Sequence, residues 1–342
     1  MKYDYLVFIG RFQPFHIGHQ AVIEKALQIA NRVIVLVGSA GKPRSSKNPW
    51  TFQERAEMIL KTTSNGVLGE RIAVVPLYDK SYNDSAWVAQ VQSIVETIVR
   101  TDGFTTTPNI GIIGHIKDES SYYLKMFPQW GLVEHDMNEV VHATDLRSIL
   151  FDGKSLRYLQ GLLPAPVFAN VEEFTKTPTY DHLKQEHDYI KGYRRAWEAA
   201  PYPPTFVTTD AIVVQSGHVL LIQRKAAPGK GLWALPGGFL EQKERIIDGI
   251  IRELYEETRL KVPKPVLRGS ITKREVFDDP GRSERGRIVT HAALIELPPG
   301  ELPQVKGADD ARRAKWVPIS DLREDNMFED HYSIINVMLG LS

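Results

Sequence analysis

The sequence predicts two α/β domains in series, the first on a parallel sheet and the second on a mixed sheet with a helix packed against it. Three observations carry this. The first half alternates short apolar runs with helical patterns, as parallel βαβ units do. From residue 206 the texture becomes β-rich, interrupted by one strong helical pattern at residues 244–258. A length of 342 residues leaves room for two hydrophobic cores.

The elements follow in order. The apolar run at residues 5–9 reads as a buried first strand, and residues 21–30 as the helix after it. Runs at 33–37, 72–76 and 110–114 supply further strands, with helical patterns at 51–64 and 85–100 between them. Thr51 followed by Glu54 is a capping box and marks a helix start. In such units ligands bind beyond the carboxyl ends of the strands. After Gly161 the pattern changes: LLPAPVFANVEEF leads into a polar, aromatic segment at 180–200 that reads as helix, ended by Pro201, Pro203 and Pro204. It is either a connector or an extra helix on the first domain. Either way the expected layout is residues 1–175, a helical linker at 176–204, and a second domain at 205–342. There AIVVQSGHVLLIQR reads as a hairpin turning at Ser216 and Gly217. Strands are expected at 266–277, 288–297 and 315–318.

Composition narrows the function. Forty-two basic residues balance 42 acidic ones, which argues against a non-specific nucleic-acid binder. The absence of cysteine removes disulfides, zinc–thiolate sites and thiol nucleophiles, and fits a reducing cytoplasm. No signal peptide is evident at the start, and no run of about 18 apolar residues predicts a membrane span. The sequence leaves a homo-oligomer open.

The most informative run is GRFQPFHIGH, residues 10–19, at the junction of the first strand and helix. A helix N-terminus presents unpaired N–H groups and partial positive charge, so it suits phosphate. His16 and His19 can donate to the same phosphate. Joining a mononucleotide phosphate to ATP needs no side-chain nucleophile, only alignment and charge neutralisation. Arg11, His16, His19 and Arg147 have suitable chemistry. In ATDLRS, Thr144 reads as an N-cap and Arg147 as the third residue of the helix it starts.

The first run resembles the GxFxPxHxGH signature of the nucleotidylyltransferase superfamily, and ATDLRS its second signature. The resemblance implies a Rossmann-like domain with His16, His19 and Arg147 as catalytic residues. Gly10, Arg11, Phe12, Gly18 and Thr144 would then bind substrate. GSAGKPRSSKNPWTFQER and YDKSYNDSAW look like the corresponding stretches of archaeal-type nicotinamide mononucleotide adenylyltransferases. By that likeness Asn83 and Trp87, and more loosely Asp79, would contact nicotinamide. Gly114, His115, Lys117 and Asp118 would lie where the family closes its nucleotide site. Mg²⁺ would arrive with the ATP phosphates.

In the second half, GFLEQKERIIDGIIRELYEETRL places Glu253, Glu256 and Glu257 on one helical face. Three carboxylates so close repel one another unless cations sit among them, and oxygen donors suit Mg²⁺ or Mn²⁺. The run resembles the Nudix box, G-x5-E-x7-R-E-U-x-E-E-x-G-U, and implies a Nudix α/β/α fold that hydrolyses a nucleoside diphosphate linked to another group. Gly238, Glu253, Glu256 and Glu257 would hold the metal, with Glu253 alternatively the base. Arg259 stands where the box has its second glycine, so either the helix ends differently or the site is remodelled. FDDPGRSERGRIVTHAALIEL is similar to the same region of ADP-ribose pyrophosphatases. Arg282, Arg285 and Arg287 would there meet phosphates, and Trp233 and Phe277 would stack on adenine.

Both halves together resemble the bifunctional nicotinamide mononucleotide adenylyltransferase/Nudix hydrolase proteins of bacteria. The implied substrates are ATP, nicotinamide mononucleotide and ADP-ribose, with NAD⁺ as a product. Two alternatives stay open: the first domain could serve another acceptor such as phosphopantetheine, and the second could be a non-catalytic ADP-ribose sensor.

Overall fold

The computed structural model describes residues 1–63, 70–103, 107–115, 119–135 and 141–341. Contacts divide the chain into two compact units, Met1–Lys184 and Gln185–Ser342.

The first unit runs β1 (Tyr3–Gly10), α1 (Ile17–Ile29), β2 (Ala30–Val37), α2 (Phe52–Thr63), β3 (Ile72–Pro76), α3 (Asp84–Thr101), β4 (Ile110–Gly114), β5 (Gly131–Glu134), α4 (Ala143–Phe151) and α5 (Ala165–Phe174). It closes on α6 (Pro178–Ala196), which passes the division. Its five strands are ordered β3-β2-β1-β4-β5, all parallel. Period-2 alternation sends Leu6, Phe8, Val33, Val35 and Val37 to one face and Tyr5, Val7, Ile9, Ile34 and Leu36 to the other. Helices cover both faces, which is why the strands read as unbroken apolar runs. α1, α2, α4 and α5 pack on the first face and α3 on the second. The predicted capping box forms: Thr51 Oγ1 accepts the Glu54 N–H at 3.3 Å, and Glu54 accepts the Thr51 N–H at 2.7 Å.

The expected linker is packed structure. Leu183 joins the first unit's core, and the Tyr180 hydroxyl donates to the Leu150 carbonyl. Within the second unit, Glu186 accepts the Gly229 N–H at 2.7 Å, and Tyr193 and Trp197 meet the Phe206 ring edge-on.

The second unit adds β6 (Thr205–Gln215), β7 (His218–Arg224), β8 (Trp233–Ala234), β9 (Gly237–Phe239), α7 (Ile246–Thr258), α8 (Lys264–Gly269), β10 (Ile271–Phe277), β11 (Arg287–Glu296), β12 (Ala311–Pro318) and α9 (His331–Leu339). Its main path is β10-β11-β6-β7-β12, with β8 on β7 and β9 on β6. β11 and β6 are parallel and the remaining pairs antiparallel, so the sheet is mixed. α7 and α8 cover one face and α9 the other, an α/β/α sandwich. The hairpin turns where predicted, with Ser216 and Gly217 both at positive φ.

Two expectations are corrected. The strand expected at 266–277 begins only at Ile271, because Pro263 and Pro265 stand at the N-cap and in the first turn of α8, where no N–H is needed. The long helix starts at Ile246 rather than Glu244, which sits in the preceding turn with its N–H on the Glu241 carbonyl. No helix among the described residues is long and apolar enough to cross a membrane.

Candidate active sites

The first candidate site forms where β1 and β4 end, at the point where the sheet order reverses. Gly10 ends β1 tightly, since a Cβ there would lie 2.9 Å from the Phe12 ring. Gln13 is buried, donates to the Trp50 carbonyl at 2.8 Å and accepts the Trp50 N–H at 3.0 Å. His16 caps α1. Its ring stacks on His19 at 3.6 Å, and its N–H donates to His19 Nδ1 at 3.3 Å. His19 also meets Phe12 edge-on at 4.8 Å. From α4, Arg147 donates to the Gln13 carbonyl at 2.8 Å and to Thr144 Oγ1 at 3.2 Å.

These residues enclose a cavity of about 290 Å³. Its lining includes Gly10, Arg11, Phe12, His16, Gly18, His19, His115, Thr144 and Arg147, together with Gln13, Tyr123 and His142, which the sequence reading missed. Thr144 is corrected as a cap: His142 holds the N-cap position and Thr144 lies inside α4, where its hydroxyl steadies Arg147. Burial, with His142 nearby, takes the His16 imidazole down to about 4. Burial and His16 hold His19 well below its ordinary value. Both rings are therefore neutral at pH 7, each carrying one N–H donor.

The residues expected at nicotinamide lie outside this lining. Asp79 accepts both the N–H and the hydroxyl of Ser39, at 3.1 and 2.9 Å. Asn83 caps α3 by accepting the Ala86 N–H at 2.9 Å. Trp87 is half-buried against Tyr123 and Phe127, each 6.1 Å away. Gly114 packs under Leu124, which a Cβ would meet at 2.9 Å. Lys117 and Asp118 lie outside the described residues.

The second candidate site is built on α7. Arg252 donates twice to Glu244, at 2.9 Å each, and through Nη1 to Glu253 at 2.8 Å and Glu256 at 2.9 Å. This holds three carboxylates of one helical region around one cation. Glu257 points inward, 5% exposed, and accepts the Gly237 N–H at 2.9 Å. Gly238 admits Glu253 as no other residue would, since a Cβ there would stand 2.5 Å from its carboxylate oxygen. Burial pushes the Glu257 carboxyl up to about 8 and also raises Glu253.

Among the described residues, no group of three His, Cys, Asp or Glu side chains is set to hold a metal ion. Arg252 holds Glu253 and Glu256, and the Gly237 N–H holds Glu257. The donor set still fits a hard divalent cation. It is all oxygen, and two of its carboxyls are held above their ordinary range by burial, which a cation would reverse.

Arg259 ends α7 in the left-handed conformation, φ 49° and ψ 31°, and its N–H reaches the Tyr255 carbonyl at 3.0 Å. The helix therefore keeps a left-handed end without the glycine. Two expectations fail on burial. Arg282 is locked in a two-point pair with Asp330, both bonds 2.9 Å, and cannot meet a phosphate in this arrangement. Phe277 is 3% exposed in the core under α9, and its ring is not presented for adenine. Trp233 packs half-buried against the same core, and Arg287 stands near the surface with Asp278. The sequence reading missed Arg224, whose guanidinium lies 3.9 Å over the Phe328 ring and close enough to Glu257 to lower its pKa. Nothing in the sequence distinguishes it from an ordinary strand end.

Residues 7–148 match the Cytidylyltransferase-like family and residues 204–337 the NUDIX domain family. A nicotinamide/nicotinic acid mononucleotide adenylyltransferase of Acinetobacter baylyi is 41% identical over 187 residues, 54% of this chain and 94% of that protein. An ADP-ribose pyrophosphatase of Methanocaldococcus jannaschii is 35% identical over 129 residues, 38% of this chain and 70% of that protein. The crystal structure of a bifunctional NMN adenylyltransferase/ADP ribose pyrophosphatase of Francisella tularensis, complexed with AMP and a manganese ion, superposes with a TM-score of 0.91 at 37% identity and covers 99% of both chains. With both candidate sites and both folds matched end to end, this chain belongs to the family of bifunctional NMN adenylyltransferase/ADP-ribose pyrophosphatase proteins.

Proposed function

We propose that the first unit transfers AMP from ATP to nicotinamide mononucleotide, giving NAD⁺ and pyrophosphate, and that the second hydrolyses ADP-ribose to AMP and ribose 5-phosphate. One observation carries this. A single chain holds both the histidine-lined cavity and the glutamate-bearing helix, in a fold shared over 99% of its length with the Francisella bifunctional protein.

In the first reaction the mononucleotide phosphate oxygen forms a bond to the α-phosphorus of ATP, and the bond to the β-phosphate bridging oxygen breaks. His16 and His19, held neutral, donate hydrogen bonds to the phosphates without adding a buried charge. Arg11 and Arg147 supply the positive charge, Arg147 after exchanging its contact on Gln13 for the departing pyrophosphate. In the second reaction water attacks a phosphorus of ADP-ribose and the pyrophosphate bond breaks. Glu253, Glu256 and Glu257 would hold Mg²⁺ or Mn²⁺, with the Gly238 carbonyl beside them. The metal lowers the pKa of bound water and neutralises the pyrophosphate oxygens. Arg252 keeps the carboxylates oriented, and Glu257 is shielded from solvent by burial.

The test is a paired product assay on one preparation. NAD⁺ should form from ATP with nicotinamide mononucleotide, faster than with the nicotinate analogue and not at all with phosphopantetheine. AMP should be released from ADP-ribose with Mg²⁺ or Mn²⁺. Turnover of phosphopantetheine instead, or tight ADP-ribose binding without AMP release, would replace the corresponding half of this reading.

A further inference from the structure

Arg55 of α2 is 1% exposed, and all four of its hydrogen bonds end on main-chain oxygens. Nε donates to the Thr51 carbonyl at 3.1 Å. Nη1 donates to the Arg11 carbonyl at 2.6 Å and the Gly38 carbonyl at 2.7 Å, and Nη2 to the Ser39 carbonyl at 3.3 Å. Arg11 follows β1, and Gly38 and Ser39 follow β2. One guanidinium thus ties together the carboxyl ends of two adjacent parallel strands, beside the cavity. Burial lowers it to about 10, so it stays charged at neutral pH.

A second observation falls at the same places. Phe12, directly after the held Arg11 carbonyl, has φ 52°, and Ser39, whose own carbonyl is held, has φ 50°. A non-glycine residue keeps such a conformation only where its surroundings enforce it. Arg55 is placed to enforce both. Asp79 pins Ser39 from the far side through its N–H and hydroxyl. Arg147 holds the same first turn at the Gln13 carbonyl, but from within the cavity, where a triphosphate would compete for it. Arg55 has no cavity face and keeps its contacts throughout turnover.

We propose that Arg55 is the internal positioning residue of the adenylyl-transfer site, holding the strained turns after β1 and β2 in their phosphate-binding shape before ATP arrives. A lysine would keep the charge but not the planar fork that spans these carbonyls. The proposal rests on the reading of the first-unit cavity as that site.

The test compares full-length wild type, Arg55→Lys and Asp79→Asn below their unfolding temperatures, reading Tm, ATP-binding stoichiometry, kcat and KM for NAD⁺ formation, with ADP-ribose hydrolysis as internal control. Arg55→Lys should bind ATP at full stoichiometry and hydrolyse ADP-ribose normally, while kcat for NAD⁺ falls about 100-fold, as a misplaced turn would cause. A merely structural role would instead lower bound ATP and kcat in parallel. Asp79→Asn, which loosens Ser39 without touching the buried charge, should lower kcat about tenfold. Unchanged kcat in a folded Arg55→Lys overturns the proposal. If that variant does not fold, unchanged kcat in Asp79→Asn overturns it. A wild type that forms no NAD⁺ fails at the site reading itself, and the positioning role falls with it.

Discussion

His16 and Arg259 show how single residues carry a cost for their place. An unfolded histidine titrates near about 6.5, whereas His16 is held to about 4 by burial. Between these values the unfolded chain binds a proton that the native state refuses. The stability contributed by neutral His16 is therefore complete above the unfolded value and is lost as pH falls through the window toward 4. One such group changes stability by about 1.4 kcal/mol per pH unit inside that window. The urea midpoint should drop between pH 7 and pH 5, and His16→Asn should flatten the drop; an identical slope in the variant would refute this. At the end of α7, Arg259 adopts a backbone conformation that costs an L-residue about 1 kcal/mol. Arg259→Gly should raise the Tm by about 3 °C and leave ADP-ribose hydrolysis unchanged, as calorimetry and a product assay would show.

At the scale of elements, α7 and the short strand β9 make one device. The helix supplies Arg252, Glu253, Glu256 and Glu257, and the strand supplies the Gly237 N–H and the open face of Gly238. Gly238→Ala should displace the Glu253 carboxylate and reduce ADP-ribose hydrolysis by about two orders of magnitude, with the Tm little changed. Full activity in that variant would mean that Glu253 works from another position. Removing the guanidinium in Arg252→Gln leaves Glu244, Glu253 and Glu256 without their shared cation. A steep loss of hydrolysis and a shift in the metal concentration needed are expected, measurable by Mn²⁺ titration of the rate.

Across the molecule, each unit has its own cores and its own site. Glu257→Gln should abolish AMP release from ADP-ribose while NAD⁺ formation continues at the wild-type rate. His19→Ala should do the reverse. A parallel loss of both activities in either variant would contradict this separation.

The sequence by itself determined the elements whose pattern is local. The parallel strands of the first unit, the capped start of α2, the hairpin at Ser216 and Gly217 and the glutamate face of α7 each follow from periodicity or turn chemistry within a few residues. The runs around His16 and Glu253 were legible for the same reason, since their spacing is set by one strand–helix junction and one helix. Only the tertiary structure decided which arginines are spent on structure and which face a cavity. Arg282 is paired inside with Asp330, Arg55 is buried on carbonyls, Arg147 lines the cavity, and Arg224 lies near Glu257. The physical reason is that a guanidinium's role depends on the acceptors brought to it. Those acceptors come from strands and turns far away in sequence: 48 residues separate Arg282 from Asp330, and 134 separate Arg147 from Gln13.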